Sequence, residues 1–231
     1  MGEGRQPSAE PMPEDAPRLA LLTPYGIDAG QADAAAAALA KACAAGDVAA
    51  LVLRLAPSDE RSLVNLVKRL APVAQEHGAA VLVCVPGFQG DLVGVAARGG
   101  ADGVHVDKAE ESTLRDLRGR LRDGRILGSG GFLDSKHAAM AAGEAQADYL
   151  MFGGLYPDGA APDPELVRER ATWWAEIFET PCIAVTAEAA EIDALAATGA
   201  EFVGLEGALW FDRPEAVTAA LETLAAAGAA R

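Results

Sequence analysis

One recurring pattern restricts the fold of this chain more than any other feature. A short run rich in Val, Leu and Ile is followed by an alanine-rich amphipathic stretch, and the pair repeats to the end. The apolar runs are Leu19–Thr23, Ala49–Leu55, Ala80–Val85, Gly103–Val106, Arg125–Ser129, Tyr149–Gly153, Cys182–Thr186 and Phe202–Leu205. The stretches between them read as helices. Gln31–Ala45 ends before Gly46, and Asp59-Glu60-Arg61-Ser62 opens a stretch with Leu63, Leu66, Val67 and Leu70 on one face, ending at His77-Gly78. Ser112–Leu121, Ser135–Ala145, Pro164–Glu179, Glu188–Thr198 and Pro214–Ala227 behave similarly, with Gly228 as the expected last stop.

Near-continuous apolar strands alternating with helices imply parallel strands covered on their outer face. Eight such units predict an α/β fold, a single (β/α)8 TIM barrel over residues 18–231. A doubly wound open sheet alternates in the same way. Internal repetition favours a ring, because Gly100-Ala-Asp, Gln146-Ala-Asp and Gly199-Ala-Glu recur before every second strand. Residues 1–17 carry four prolines, several acids and no periodicity, and are expected to be a disordered tail.

Composition then limits partners. Thirty-four acidic against 19 basic residues give a net charge of -15, which repels a polyanion and argues against nucleic acid. No stretch approaches the roughly 20 apolar residues of a spanning helix, so no membrane association is expected. The start lacks the apolar core of a secretory signal, and Cys43, Cys84 and Cys182 have no metal-ligand spacing. Both point to the cytoplasm.

In a barrel, chemistry sits at the C-terminal ends of the strands. Arg54 interrupts an apolar strand and must meet an anion there. It is either a phosphate clamp or half of an ion pair with Glu188 or Glu206. His105, between Val104 and Val106, is a core histidine bonded to backbone or an acid–base group. Asp107 and Glu110 follow it, as helix cap or Mg2+ ligand. Ser129-Gly130-Gly131 has the small residues of a phosphate cradle, and Phe152-Gly153-Gly154-Leu155-Tyr156-Pro157 is long enough for a lid. Trp173, Trp174 and Phe178 pack on the barrel or form a subunit interface, which leaves a homo-oligomer open. The arginines from Arg115 to Arg125 read as a solvated helix face.

Several strand segments resemble a known family. Gly100-Ala-Asp-Gly-Val-His-Val is similar to the Gly-Ala-Asp-Gly-Val-His-Leu signature of the thiamine phosphate synthase and thiazole tautomerase superfamily. Ile126-Leu-Gly-Ser-Gly, Ala147-Asp-Tyr-Leu-Met-Phe-Gly-Gly-Leu-Tyr-Pro, Gly199-Ala-Glu-Phe-Val-Gly-Leu and Leu53-Arg54 resemble its fifth, sixth, eighth and second strands. The resemblance implies a barrel of thiamine biosynthesis that joins a pyrimidine diphosphate to a thiazole phosphate with Mg2+, releasing pyrophosphate through a pyrimidine carbocation. It implies catalytic roles for Arg54 and His105. It further implies a small phosphorylated ligand held by Arg54, Ser129, Gly130, Gly153 and Gly154, and Mg2+ at Glu110.

The chain also departs from that pattern. Val52 and Ala56 stand where the family has Gln and Lys, and Cys84-Val85-Pro86 replaces an Asn-Asp pair. Gly130-Gly131-Phe132 replaces Ser-Thr-His, Asp158-Gly-Ala-Ala161 replaces Thr-x-Thr-Lys, and Thr186-Ala-Glu188 replaces a Gly-Gly-Ile phosphate loop. Glu206 or Gly207 takes the place of a Ser. Three functions are therefore carried forward: the family condensation, a divergent paralogue binding another ligand or a protein partner, and a different lyase or isomerase using His105 and Asp107.

Overall fold

A computed structural model describes residues 16–229. Eight parallel strands close into a barrel in chain order: β1 (Arg18–Leu22), β2 (Val48–Arg54), β3 (Ala80–Cys84), β4 (Gly103–Asp107), β5 (Ile126–Gly130), β6 (Tyr149–Gly153), β7 (Cys182–Thr186) and β8 (Phe202–Leu205). The ring closes where β1 pairs with β8, Ala20 opposite Gly204. All eight apolar runs of the sequence form strands, displaced by at most a residue at either end.

The helices are α1 (Ala32–Cys43), α2 (Glu60–Gln75), α3 (Leu92–Gly99), α4 (Glu111–Arg120), α5 (Lys136–Glu144), α6 (Pro164–Ile177), α7 (Ile192–Ala196), α8 (Gly207–Trp210) and α9 (Ala216–Ala229). A 3-10 turn over Ala189–Glu191 occupies the start of the stretch expected to begin at Glu188. Gly228 does not stop the last helix, which runs through it to Ala229. α3 and α8 lie outside the helices expected from periodicity. Residues 1–15 of the expected tail lie outside the described residues, and Ala16 and Pro17 are buried.

Strand alternation builds two apolar layers. Leu19, Leu21, Leu51, Leu53, Val81, Val83, Val104, Leu127 and Leu150 face the helices. Ala20, Leu22, Val52, Leu82, Cys84, Tyr149, Met151, Ile183 and Val185 fill the barrel interior. Gly128 is required there. A Cβ on it would lie 2.1 Å from Cζ of the buried Tyr149 ring, so only glycine lets that ring cross the barrel.

The thrice-repeated motif has a structural reason. Gly100, Gln146 and Gly199 all adopt positive φ, between 64° and 89°, and so leave their helices through a left-handed turn. The following Ala101, Ala147 and Ala200 are buried. The acid in each motif then accepts a backbone N–H from the start of the preceding strand. Asp102 takes Val81 N at 2.7 Å, Asp148 takes Leu127 N at 2.7 Å and Glu201 takes Cys182 N at 2.9 Å. These ties lie at the N-terminal face and leave the opposite face for a site.

The helix surface carries paired charge. Arg115 bonds Glu111, Arg118 bonds Asp148, and Arg120 meets both Asp91 and Asp116. Trp174 is buried, donates to Thr180 O at 2.7 Å and stacks on Phe178, while Trp173 is half-buried under the Lys136 ammonium. Among the described residues no helix is long and apolar enough to cross a membrane.

Candidate functional site

The C-terminal mouth is organised around one buried ion pair. Arg54, the last residue of β2, is 2% exposed, and Glu206, directly after β8, is 0% exposed. The guanidinium donates to both Glu206 oxygens, Nη1 to Oε1 at 3.0 Å and Nη2 to Oε2. Nε donates to Thr23 O, and the Arg54 backbone N–H donates to Thr23 Oγ1 at 2.8 Å. The Tyr25 ring covers the guanidinium, its centroid 4.0 Å from Cζ. Burial works against the Arg54 charge, but Glu206 overcomes it and holds the guanidinium firmly protonated.

Glu206 is equally committed. Oε1 also accepts Leu155 N at 2.7 Å, and Oε2 accepts Gly207 N at 3.2 Å, capping α8. Gly154 makes the first of these possible: its φ is +93°, and a Cβ would lie 3.1 Å from Glu206 Oε1. Gly153 has φ +95° and passes so close to Val185 O that a Cβ would lie 2.5 Å away. In this geometry the two glycines fold the segment after β6 over the carboxylate. Of the two partners open to Arg54 in the sequence, Glu206 takes it; Glu188 is exposed, and its backbone closes a turn on Thr186 Oγ1.

A second polar chain runs into the barrel. His105 Nδ1 lies 2.8 Å from Tyr149 Oη, and Nε2 lies 3.1 Å from Asp107 Oδ1. His105 is 1% exposed and stacks on Tyr149 at 5.6 Å between centroids. Its partners are thus side chains rather than backbone. Burial pushes Asp107 up, but His105, through charge and hydrogen bond, outweighs this and holds the carboxyl below the usual aspartate range. Burial drives the Tyr149 hydroxyl well above its ordinary range. An ionised Asp107 carboxylate can only accept, so His105 Nε2–H donates to it, and Tyr149 Oη pairs with Nδ1 on the other side of the ring. Cys84, in the same interior, is pushed upward by burial and stays a thiol.

Ser129 is fully buried, and its Oγ donates to Val106 O at 3.1 Å. Gly130 opposes Asp107 in the β4–β5 pairing, and a Cβ there would lie 2.6 Å from Asp107 Oδ1, so the glycine makes room for that carboxylate. Glu110 is exposed at the start of α4 and makes no side-chain cap. No group of three His, Cys, Asp or Glu that could hold a metal ion occurs among the described residues. Glu110, the residue expected to hold Mg2+, is thus not part of any such three-residue cluster. Tyr25, Tyr156 and Phe211 line the mouth, with the Lys108 ammonium over the Tyr156 ring; Tyr156 falls in the segment read as a lid, whereas Phe211 was not expected there.

The sequence model of a family described as thiamine monophosphate synthase matches residues 19–209. A thiamine-phosphate synthase of Rhodospirillum centenum is 36% identical over 206 residues, covering 84% of this chain and 89% of the relative. The chain belongs to the thiamine monophosphate synthase family. Another thiamine-phosphate synthase, of Hyphomonas neptunium, is 32% identical over 228 residues, covering 94% of this chain and 96% of the relative. In fold the chain is similar to thiamine phosphate pyrophosphorylase from Pyrococcus furiosus, with a TM-score of 0.67 at 20% identity, over 91% of this chain and 96% of that one.

Proposed function

We propose that this chain is a divergent member of the thiamine monophosphate synthase family that binds a small ligand at the barrel mouth and does not perform the family condensation. One observation carries the reading: each guanidinium nitrogen of Arg54 donates a hydrogen bond to Glu206 or Thr23 in a fully buried pair. A leaving diphosphate needs unsatisfied positive charge aimed at it. Here a carboxylate already holds that charge. The substitutions at Val52, Ala56, Gly130-Gly131-Phe132 and Asp158-Gly-Ala-Ala161 remove further polar groups that the family pattern has at these positions.

A second reading, the family condensation itself, is favoured by the near full-length match to relatives named thiamine-phosphate synthase. Arg54, His105 and the strand-end glycines would then serve it. For a different lyase or isomerase, the support is the Asp107–His105–Tyr149 chain, in which Asp107 would be the group able to exchange a proton with a ligand. The three free, buried cysteines support a cytoplasmic setting.

Incubating the purified chain with the pyrimidine diphosphate, the thiazole phosphate and Mg2+, and following thiamine phosphate by chromatography, separates the first two readings. The proposal expects no product above the uncatalysed control. Turnover near the 1 s⁻¹ order typical of enzymes would sink it and establish the second reading.

A further inference from the structure

β5 carries two glycines, Gly128 and Gly130, two residues apart and so on one face of the strand. In the strand register His105, Gly128 and Tyr149 form one row across β4, β5 and β6, and Asp107, Gly130 and Met151 form another two residues on. A Cβ on Gly128 would lie 2.2 Å from Tyr149 Oη. One on Gly130 would lie 2.6 Å from Asp107 Oδ1 and 3.2 Å from His105 Nε2. A side chain at either position would therefore displace a member of the Tyr149–His105–Asp107 chain. Together the glycines form a slot through β5. It leads from the buried Tyr149 to Asp107, whose side chain is 28% exposed at the mouth.

Inside the slot the Tyr149 hydroxyl holds the far side of the histidine. His105 is buried, so a ring nitrogen left without a partner there costs its full desolvation. A tyrosine hydroxyl can donate to a bare Nδ1 or accept from a protonated one, so it satisfies Nδ1 whether the ring carries one proton or two. In both states Nε2–H stays on Asp107 Oδ1. Without the hydroxyl Nδ1 has no partner in either state, and only the stacking on the Tyr149 ring, 5.6 Å between centroids, still orients the imidazole.

We propose that Tyr149 is a positioning residue whose hydroxyl, acting through His105, fixes the orientation and proton affinity of the Asp107 carboxylate at the barrel mouth. Other groups also face that carboxylate: Arg54 at the end of β2, Cys84 at the end of β3, Lys108 after β4 and Tyr25 after β1. Arg54 and Lys108 favour its charge, while burial keeps the Cys84 thiol and the Tyr25 hydroxyl protonated. All four are retained in Tyr149→Phe, so a difference between parent and variant reads the hydroxyl alone. The proposal holds whichever reaction or ligand the mouth serves.

NMR of the full chain, labelled with 15N in histidine and 13C in the aspartate carboxyl, tests it. In the parent, His105 Nε2 is expected to carry hydrogen. Tyr149→Phe keeps the stacked ring and removes only the hydroxyl. The Asp107 titration midpoint should then rise by about half a pH unit or more toward the ordinary aspartate value, because its donor is no longer held and the doubly protonated ring is disfavoured. The His105 Nε2–H signal should broaden in the same variant. Ser129→Ala is the structural control: it removes another buried hydroxyl of β5, bonded to Val106 O, and should leave the Asp107 midpoint in place. An unmoved midpoint in Tyr149→Phe, an equal shift in Ser129→Ala, or a bare Nε2 in the parent would each overturn the proposal. The last is read on the parent chain, so the test stands even where Tyr149→Phe fails to fold.

Discussion

Replacing Glu206 by Gln tests the buried pair with almost no change of shape. The side chain keeps its volume and its Oε1 can still accept Leu155 N, but Arg54, 2% exposed, loses its counter-charge. Removing one partner of a buried pair costs about 3–5 kcal/mol, because the surviving ion stays desolvated. Against a typical stability of about 5–15 kcal/mol this is a large fraction. For a chain of this size each kcal/mol moves Tm by roughly 2–4 °C, so Glu206→Gln should melt roughly 6–20 °C lower. Differential scanning fluorimetry and circular dichroism suffice to measure it. The double variant Arg54→Met/Glu206→Leu removes both charges and should recover most of the loss, since apolar replacements of buried pairs are often neutral. A Glu206→Gln melt within about 2 °C of the parent would refute the reasoning. So would a double variant less stable than the single one.

Two further perturbations probe the barrel interior. Asp107 has its carboxyl lowered in the native state, so the unfolded chain binds the proton more readily; the contribution is complete above the ordinary aspartate range and is lost as pH falls through and below it. Asp107→Asn should therefore flatten the fall in stability below about pH 4, measured by denaturant melts across pH; an unchanged slope contradicts the lowered carboxyl. Gly128→Ala places a methyl 2.1 Å from Cζ of the buried Tyr149 ring, well inside contact distance. It should destabilise by about 1–3 kcal/mol or more and broaden the Tyr149 signals in NMR, whereas a neutral effect would mean the ring is not packed as described.

The sequence made the strands legible because each is a compact apolar run bounded by polar or glycine residues, and the helix period filled the gaps. α3 escaped because Leu92–Gly99 spans barely two turns and contains two glycines, too short for a 3.6-residue pattern to declare itself. α8 is a single turn set by the Glu206 cap, a tertiary feature. Arg54 could be read as needing an anion, since an unpaired buried guanidinium is untenable. That it meets Glu206, 152 residues away in sequence, depends on β8 closing beside β1. The Asp107–His105–Tyr149 chain was half legible: strand alternation places His105 and Asp107 on one face, but Tyr149 joins them only through the β5 register, across Gly128. Gly130, Gly153 and Gly154 show how much a glycine's neighbours add to its reading. The sequence reads Gly130 within a phosphate cradle and Gly153 and Gly154 within a lid, to which the resemblance adds phosphate binding; in the structure the three also make room for Asp107, Val185 and Glu206.

The proposed function turns on Arg54: held by Glu206, it would leave the mouth without a phosphate site. Titrating inorganic pyrophosphate into the parent chain and into Glu206→Gln, under identical buffer and salt, tests it most directly. The account predicts no saturable heat for the parent at millimolar pyrophosphate and measurable binding once Glu206 is neutral and the guanidinium is freed. Micromolar binding by the parent, unimproved in Glu206→Gln, would contradict it.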